Sequence, residues 1–236
     1  MTDFFAVIDA TWPPATTRRG GGFLVREGLG GGSRVSCASL ETPFEAADIA
    51  AAEAAHRALG QEPKFMARPG EEALDAALAA RGYELFDPVV IHAAPLSKLS
   101  TDVPPVTAFV HWPPLAITRE VWAETGIGAE RQAVMERVTG PKAAVLGRIR
   151  DRAAGAAFIA LHERTAMLHA LTVLPEYRRA GLARAIMAEA ARWAAEAGAE
   201  DLSLVVTRAN VPANALYQSL GMEVVSAYHY RREGRA

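Results

Sequence analysis

The sequence has little cysteine: Cys37 is the one cysteine among 236 residues. A single cysteine cannot form an intrachain disulfide or a multi-cysteine metal site. No apolar run approaches the about 20 residues that a membrane-spanning helix needs. The first residues, Met1-Thr2-Asp3, lack the basic and then apolar plan of a secretory signal peptide. We therefore expect a soluble, cytoplasmic protein that does not bind a membrane.

Neither sign of charge dominates the sequence. Lysine and arginine together number 25 against 27 aspartates and glutamates, a formal net charge of −2. The arginines are scattered rather than clustered, so we expect no nucleic-acid partner. No spacing of histidine, aspartate and glutamate is typical of a metal site. Half of the residues are apolar, and the length suits one large or two small domains with buried cores.

Short hydrophobic patterns predict alternating strands and helices in the first 98 residues. A glycine-rich stretch at 27–33 lacks the Gly-Lys-Ser/Thr ending of a phosphate-binding loop and leads into a strand, so it is predicted to be a hairpin connection. Alanine-rich patterns predict helices at 43–59 and at 71–80. Apolar runs predict strands at 4–8, 23–26, 34–38, 64–67, 85–86 and 89–93.

The polar, proline-bearing segment 95–105 is the best linker candidate. The order strand, strand, helix, strand, helix, strand, strand occurs on both sides of it, which indicates an internal duplication. Beyond the linker the patterns predict a strand at 106–111, helical segments within 118–138 broken at 126–128, a hairpin of strands at 143–149 and 156–161, a strand at 165–174, a long helix, a strand at 202–207, a short helix and a last strand at 224–230.

The most informative stretch is 168–198. An apolar run is followed by a turn at Pro175 and by Arg178-Arg179-Ala180-Gly181-Leu182-Ala183, which opens directly into an amphipathic helix. The first N–H groups of a helix have no intrahelical partner, two arginines stand beside them, and Gly181 and Ala183 add little bulk. These features favour a binding site for a phosphate group.

This strand, loop and helix resemble the GCN5-related N-acetyltransferase (GNAT) family, in which a Gln/Arg-x-x-Gly-x-Gly/Ala loop holds the pyrophosphate of acetyl-CoA. The first motif alone would be weak evidence, but two motifs in order with a strand between them are specific. The second is Asn210-Val-Pro-Ala213-Asn-Ala-Leu-Tyr217-Gln-Ser-Leu-Gly221-Met222, which is similar to the family's Asn-x-x-Ala-x-x-Leu-Tyr-x-x-x-Gly-Phe element with Met222 in place of Phe.

The resemblance implies the GNAT fold, an α/β (α+β) arrangement in which helices flank a mixed, mostly antiparallel sheet, here as two tandem domains. Residues 1–98 are expected to form a degenerate, non-catalytic GNAT-like domain, because the acidic segment 41–45 stands where its first helix would need the basic loop. Residues 99–105 are expected to be a linker, and residues 106–236 the acetyl-CoA-binding domain. The N-terminal half either closes over the site, forms a homodimer interface or stiffens the protein.

The resemblance also assigns roles to individual residues. Tyr217 occupies the position of the family's general acid. A phenol of pKa about 10 suits this role, because it stays protonated at neutral pH and can protonate a leaving thiolate. The alternative is a tyrosine packed against the sheet. The preceding strand would hold the pantetheine arm through its backbone. The implied cofactor-binding residues are Leu171, Thr172, Val173, Arg178, Arg179, Ala180, Gly181, Leu182, Ala183, Asn210, Ala213 and Tyr217.

His169 is the candidate base. The stretch from His169 to Arg178 is similar to that of arylalkylamine N-acetyltransferases, which have a histidine there that helps to remove the amine proton. Most family members that use a base have a glutamate two residues earlier, where this chain has Met167. The alternative is a core histidine. Strand alternation predicts that Met167, His169 and Leu171 share one face, and that Leu168, Ala170 and Thr172 share the other.

These residues together predict an enzyme. It would transfer the acetyl group of acetyl-CoA to the primary amine of a small molecule by direct attack in a ternary complex. The alternative is a non-catalytic module that binds acyl-CoA and has a regulatory role. Retention of Tyr217 and of the motif around it favours the enzyme.

Overall fold

The computed structural model describes residues 2–234, which divide into two compact units. The C-terminal unit comprises residues 2–13, 91–205 and 212–224, and the N-terminal unit comprises residues 14–90, 206–211 and 225–234. The beginning of the chain and the segment after residue 90 thus belong to the unit that contains the basic loop. The domain limits expected from the sequence, 1–98 and 106–236 with a linker at 99–105, stay a prediction.

Helices and strands alternate along the whole chain. The first half contains α1 Phe4–Thr11, β1 Thr16–Gly20, β2 Phe23–Glu27, β3 Ala38–Leu40, α2 Ile49–Ala58, β4 Lys64–Ala67, α3 Glu72–Ala80 and β5 Tyr83–Pro95. The second half contains β6 Ala108–His111, α4 Ala116–Glu124, α5 Ala129–Arg137, β7 Lys142–Ile149, β8 Arg152–His162, β9 Thr165–Val173, α6 Leu182–Glu196, β10 Asp201–Thr207, α7 Val211–Ser219 and β11 Glu223–Glu233. The elements predicted for the second half are confirmed.

The strand predicted at 4–8 is wrong, because these residues form helix α1. Asp3 caps this helix: its Oδ1 accepts hydrogen bonds from the backbone N–H groups of Phe5 at 3.0 Å and Ala6 at 3.2 Å. A short apolar run does not by itself distinguish a strand from a buried helix. The cap residue was therefore the better signal here.

Other predictions for the first half need smaller corrections. The predicted strand at 34–38 begins only at Ala38, and the predicted strands at 85–86 and 89–93 are one strand, β5. The predicted helix at 43–59 begins at Ile49, because Asp48 Oδ1 accepts from the N–H groups of the next turn and caps the helix there. Strand β1 has no predicted counterpart.

The sheet of the N-terminal unit has the strand order β1-β2-β3-β4-β11-β5. Strand β2 pairs antiparallel with β1 and β3, β3 pairs parallel with β4, and β4 pairs antiparallel with β11. Side chains of α2 and α3 complete a hydrophobic core with the sheet. Its centre is Phe65, fully buried and in edge-on contact with Phe23 at 5.4 Å and Tyr83 at 5.5 Å between ring centroids.

The sheet of the C-terminal unit has the order β5-β10-β9-β8-β7-β6, with helices on both faces. Alternation along β8 places Gly155 and Phe158 on opposite faces. Helix α6 covers the glycine face so closely that an added Cβ at Gly147 would lie 2.7 Å from Ile186 Cδ1. Helix α1 covers the other face, where the Trp12 and Phe158 ring centroids are 6.2 Å apart. Glycine at these strand positions therefore allows the close approach of α6.

The two halves repeat one pattern, which agrees with the duplication inferred from the sequence. Three strands, a helix, a strand, a helix and a strand follow one another in β1-β2-β3-α2-β4-α3-β5 and again in β7-β8-β9-α6-β10-α7-β11. The pairing repeats as well: in each half two antiparallel pairs are followed by one parallel pair. The mixed, mostly antiparallel sheet flanked by helices is confirmed.

Candidate functional site

Strands β9 and β10 are paired along only part of their length. Their parallel register runs from Thr165 opposite Asp201 to Leu168 opposite Leu204, although β9 continues to Val173. Over those last residues β9 stays paired with β8. Within residues 2–234 the parallel ladder with β10 ends at Leu168, so 170–173 have no ladder partner on that edge of β9. The separation of the two strands leaves backbone groups of β9 available to a ligand, on the strand that was expected to hold the pantetheine arm.

A β-bulge lies in β9 where the two strands separate. Thr172 is opposite Ala156 and His169 is opposite Phe158, so two residues of β9 oppose one of β8. Ala170, in the bulge, has a φ of 52°. The extra residue reverses the alternation, so Thr172 shares the face of His169. The prediction that Leu171 shares that face and Thr172 the opposite one is wrong.

Trp122 of α4 supports this bulge. Its indole Nε1 donates a hydrogen bond of 3.1 Å to the carbonyl of Ala170, and the side chain is fully buried. A buried tryptophan satisfies its N–H in this way while filling a large core volume. We identify Trp122 as a residue that holds the bulge in place, a role that the sequence did not indicate.

The predicted phosphate loop lies between β9 and α6. Arg179 has a φ of 65° and Gly181 a φ of 82°, and no side chain caps the helix at Gly181. Within residues 2–234, the backbone N–H groups of 179–183 donate to no other residue. Arg178 closes the turn by donating from Nε to the carbonyl of Val173 at 3.1 Å. Unpartnered N–H groups at a helix start form a cradle for an anion.

The motif residues differ in exposure. Leu182 is buried, and its side chain packs against the glycines of the sheet. Ala180 and Gly181 are exposed, and Ala183 is half-buried. Leu182 therefore offers a ligand only its backbone, and the exposed loop residues form the accessible part of the cradle.

A cleft of about 660 Å³ adjoins the loop. Its walls include the start of α6, the β7–β8 turn and part of the segment 99–107. Arg148, Arg150 and Arg184 line it, and Arg184 Nη2 donates to Ser219 Oγ at 2.9 Å. Arg148 is paired with Asp151 at 2.9 Å. Arginines beside an open helix start suit the phosphate groups of a nucleotide ligand.

Tyr217 lies on α7 in the C-terminal unit. It is only 6% exposed, and this burial raises its pKa to about 12. No other residue in the range 2–234 hydrogen-bonds its hydroxyl. The ring is therefore fixed by packing, whereas the hydroxyl remains available. Of the other residues in the second motif, Ala213 is half-buried and Asn210 is exposed. Asn210 belongs to the segment 206–211, which is part of the N-terminal unit.

His169 lies beneath helix α1. Its Nε2 is 2.9 Å from Thr11 Oγ1, and its ring centroid is 4.9 Å from that of Trp12. The Thr11 hydroxyl donates to the Val7 carbonyl at 2.6 Å, so it accepts from His169 Nε2–H. At 4% exposure the imidazole is part of the core. These contacts support the core-histidine alternative, while the base role stays a prediction.

His92 of β5 is a residue that no sequence pattern indicated. It is fully buried, its Nε2 is 3.0 Å from Asn214 Oδ1, and its ring centroid is 5.6 Å from that of Tyr217. Strand β5 reaches this position because it runs antiparallel to β10: Leu96 N donates to the Glu200 carbonyl at one end of the pair, and Arg208 N donates to the Pro88 carbonyl at the other, each at 2.8 Å. Such long-range strand pairing has no local sequence signal.

Two absences complete the description. Among residues 2–234 no group of three or more histidines, cysteines, aspartates or glutamates is arranged to hold a metal ion. None of the helices in that range combines the length and the hydropathy required to cross a bilayer.

Comparison with known proteins identifies the family. Residues 115–222, which include β9, the loop, α6 and α7, match the model of the acetyltransferase (GNAT) family. Residues 115–222 therefore belong to the GNAT family. No curated protein matches the sequence.

Solved structures show that the likeness in fold extends beyond residues 115–222 to the whole chain. A GCN5-related N-acetyltransferase from Kribbella flavida is 19% identical with a TM-score of 0.73, over 98% of this chain and 94% of that one. A functionally unknown conserved protein from Staphylococcus epidermidis is 14% identical with a TM-score of 0.71, over 100% and 98%. A tandem GNAT protein from the clavulanic acid biosynthesis pathway is 15% identical with a TM-score of 0.62, over 100% and 89%. The predicted tandem GNAT fold is therefore confirmed.

Proposed function

We propose that the protein is an acetyl-CoA-dependent N-acetyltransferase that acts on the primary amine of a small molecule by direct attack in a ternary complex. The observation that carries the proposal is the open start of α6, where the N–H groups of 179–183 have no partner within residues 2–234. A diphosphate fits such a cradle, because both the N–H groups and the helix dipole favour negative charge.

Binding of the rest of acetyl-CoA follows from the direction of β9. From the cradle, the edge of β9 that faces away from β8 leads back along 170–173 toward the bulge. We assign the pantetheine arm to this edge, where Leu171, Thr172 and Val173 offer backbone groups. Arg150 and Arg184, which line the adjoining cleft, are assigned to the remaining phosphate charge.

Acetyl-CoA supplies a thioester carbonyl, and the residues of this chain stabilise the charges that develop around it. A backbone N–H of the bulged segment is the donor that we assign to the oxyanion, held in place by the bond from Trp122. Tyr217 is the group that we assign to the leaving sulfur.

The high pKa of Tyr217 limits what it does at the sulfur. With a pKa of about 12, the phenol remains protonated at every physiological pH. Complete transfer of its proton to a thiolate of pKa about 8.5 would be uphill by about 5 kcal/mol. Tyr217 therefore stabilises the thiolate as a hydrogen-bond donor, and the proton that the product thiol needs comes ultimately from the amine.

The test is release of free thiol from acetyl-CoA in the presence of a broad panel of small amines. The wild-type protein should release CoA with at least one amine, and Tyr217→Phe should lower kcat by about 10- to 100-fold while acetyl-CoA still binds. A protein that binds acetyl-CoA but acetylates no amine, with Tyr217→Phe indistinguishable from wild type, would be the non-catalytic acyl-CoA-binding module instead.

A further inference from the structure

A buried hydrogen-bonded pair stands beside Tyr217. His92, 0% exposed, joins β5 to α7 through the 3.0 Å contact between its Nε2 and Asn214 Oδ1. Asn214 precedes Tyr217 by three residues on α7, so the two side chains lie on the same side of the helix. The His92 ring also meets the Tyr217 ring, with 5.6 Å between centroids. One imidazole therefore contacts both the helix that carries Tyr217 and Tyr217 itself.

Two hydrogen-bonding atoms in this cluster are unused. Because the Asn214 amide oxygen is an acceptor, His92 Nε2 carries the hydrogen and Nδ1 carries a lone pair. Within the described range of 2–234 this buried Nδ1 has no partner, and neither has the Tyr217 hydroxyl. A buried acceptor that is left without a partner destabilises the folded chain. A site that keeps an acceptor and a donor unpaired in adjacent rings is prepared for a ligand or a water rather than for packing alone.

We propose that His92 is a positioning residue for Tyr217 in acetyl transfer, an inference that rests on the proposed function. The bond to Asn214 fixes the rotation of α7, and the ring contact fixes the plane of the phenol. Together they hold the hydroxyl where it stabilises the departing thiolate. The end of β5, which belongs to the C-terminal unit, thereby helps to place the group that acts at the leaving sulfur.

His56 offers a matched control within the same chain. It is equally buried at 0% exposure, its Nε2 contacts a carbonyl, that of Lys64, at 3.1 Å, and its Nδ1 also lacks a partner within residues 2–234. Its aromatic neighbour is Phe65, at 6.1 Å, which has no assigned role in the reaction. Replacing His56 therefore reproduces the loss of a buried imidazole without disturbing Tyr217.

The experiment measures kcat and the KM for acetyl-CoA in His92→Phe, His92→Gln and His56→Phe, with an amine that the wild type acetylates. His92→Phe should lower kcat by about 10- to 100-fold with an unchanged KM, because a small displacement of a catalytic group has effects of that size. His92→Gln should recover most of the loss, since its amide N–H replaces that of Nε2. His56→Phe should change kcat less than about twofold, because it lies outside the site.

Repeating these measurements in the Tyr217→Phe background separates positioning from general damage. If His92 acts through Tyr217, His92→Phe should cause no further loss there. An equal loss in both backgrounds, or wild-type kcat in His92→Phe, would overturn the proposal while the acetyltransferase function stands. If circular dichroism shows that His92→Phe does not fold, Asn214→Ala takes its place. It too should lower kcat in the wild-type background and cause no further loss in the Tyr217→Phe background. A wild-type protein without turnover would remove the proposed function, and this inference with it.

Discussion

Two glycines at opposite ends of α6 allow a sharp test of the phosphate cradle. Gly181 begins the helix with a φ of 82°, and Gly198 follows its end with a φ of 88°. An added Cβ would meet no atom within 4 Å at either position. A larger residue therefore fits in both places, and its main cost is the left-handed backbone, about 1–2 kcal/mol. Gly181→Asp and Gly198→Asp should lower the free energy of unfolding by similar amounts.

Only Gly181→Asp should weaken acetyl-CoA binding. A carboxylate about 6 Å from a diphosphate of charge about −2, at an effective dielectric constant of about 40, opposes binding by about 3 kcal/mol, or about 100-fold in Kd. The 15 residues of α6 place Gly198 about 22 Å away, beyond the screening length of about 10 Å at ordinary salt concentrations. Gly198→Asp should therefore bind acetyl-CoA as the wild type does.

The assay is isothermal titration of acetyl-CoA into each protein at low and at high salt, after urea unfolding has shown that the two variants are equally destabilised. The difference in Kd between them should shrink at high salt, because exposed charges are screened. Equal weakening in both variants would mean that loss of stability alone reduces binding. Wild-type affinity in Gly181→Asp would mean that no phosphate lies at this helix start.

Three further predictions concern single groups. Because burial raises the pKa of Tyr217 to about 12, the pH profile of kcat should show no alkaline decline from this residue below about pH 11. Burial lowers the pKa of His56 to about 4, and the hydrogen bond from Arg231 lowers that of Asp75 to about 2. Both values lie below those of the unfolded chain, so stability present at neutral pH should be lost on acidification, by about 3 kcal/mol between about pH 6.5 and 4. A smaller further loss should follow between about pH 4 and 2, because water screens the partly exposed Asp75 ion pair; urea unfolding measures both losses. His169→Phe should lower the free energy of unfolding by about 1–3 kcal/mol, because the Thr11 hydroxyl loses the group that donates to it. If the pH profile of kcat/KM for this variant still declines at acidic pH as it does for the wild type, His169 is not the base.

The position of the loop between β9 and α6 was predictable because its residue pattern is local. Arg178, Gly181 and Ala183 lie within six residues, and the helix that follows has a clear amphipathic pattern. The conformation that the motif needs, a positive φ at Gly181, is one that glycine adopts readily. The loop, α6 and β10 were therefore correctly placed from the sequence alone.

The rest of the candidate site depends on contacts between distant residues. His92 meets Asn214 across 122 positions and His169 meets Thr11 across 158. No local pattern encodes such pairs. The bulge at Ala170 was missed for a related reason: an alanine is not expected at a φ of 52°, and the indole of Trp122 that supports this conformation comes from another helix. Strand alternation was consequently extended one residue too far.

The same long-range contacts predict that residues 106–236 do not form a stable domain by themselves. That fragment lacks α1 and the residue after it: Val7 and Ile8 of the helix and Trp12 at its end are at most 6% exposed in the C-terminal unit. Burial of three such side chains contributes about 6 kcal/mol, a large part of the 5–15 kcal/mol that stabilises a typical domain (about 10 kcal/mol on average). The fragment also lacks the end of β5, so β10 would gain an unpaired edge.

The matched control for this truncation is the full chain cut once by a protease site inserted at Thr101, an exposed position in the segment 99–105. The cut protein keeps every segment of the C-terminal unit and should unfold cooperatively in urea close to the intact chain. The fragment 106–236 should show no cooperative transition and no acetyl-CoA binding. A fragment that unfolds cooperatively and binds acetyl-CoA with the affinity of the intact chain would mean that α1 and β5 are dispensable, and that the catalytic half folds as an independent GNAT domain.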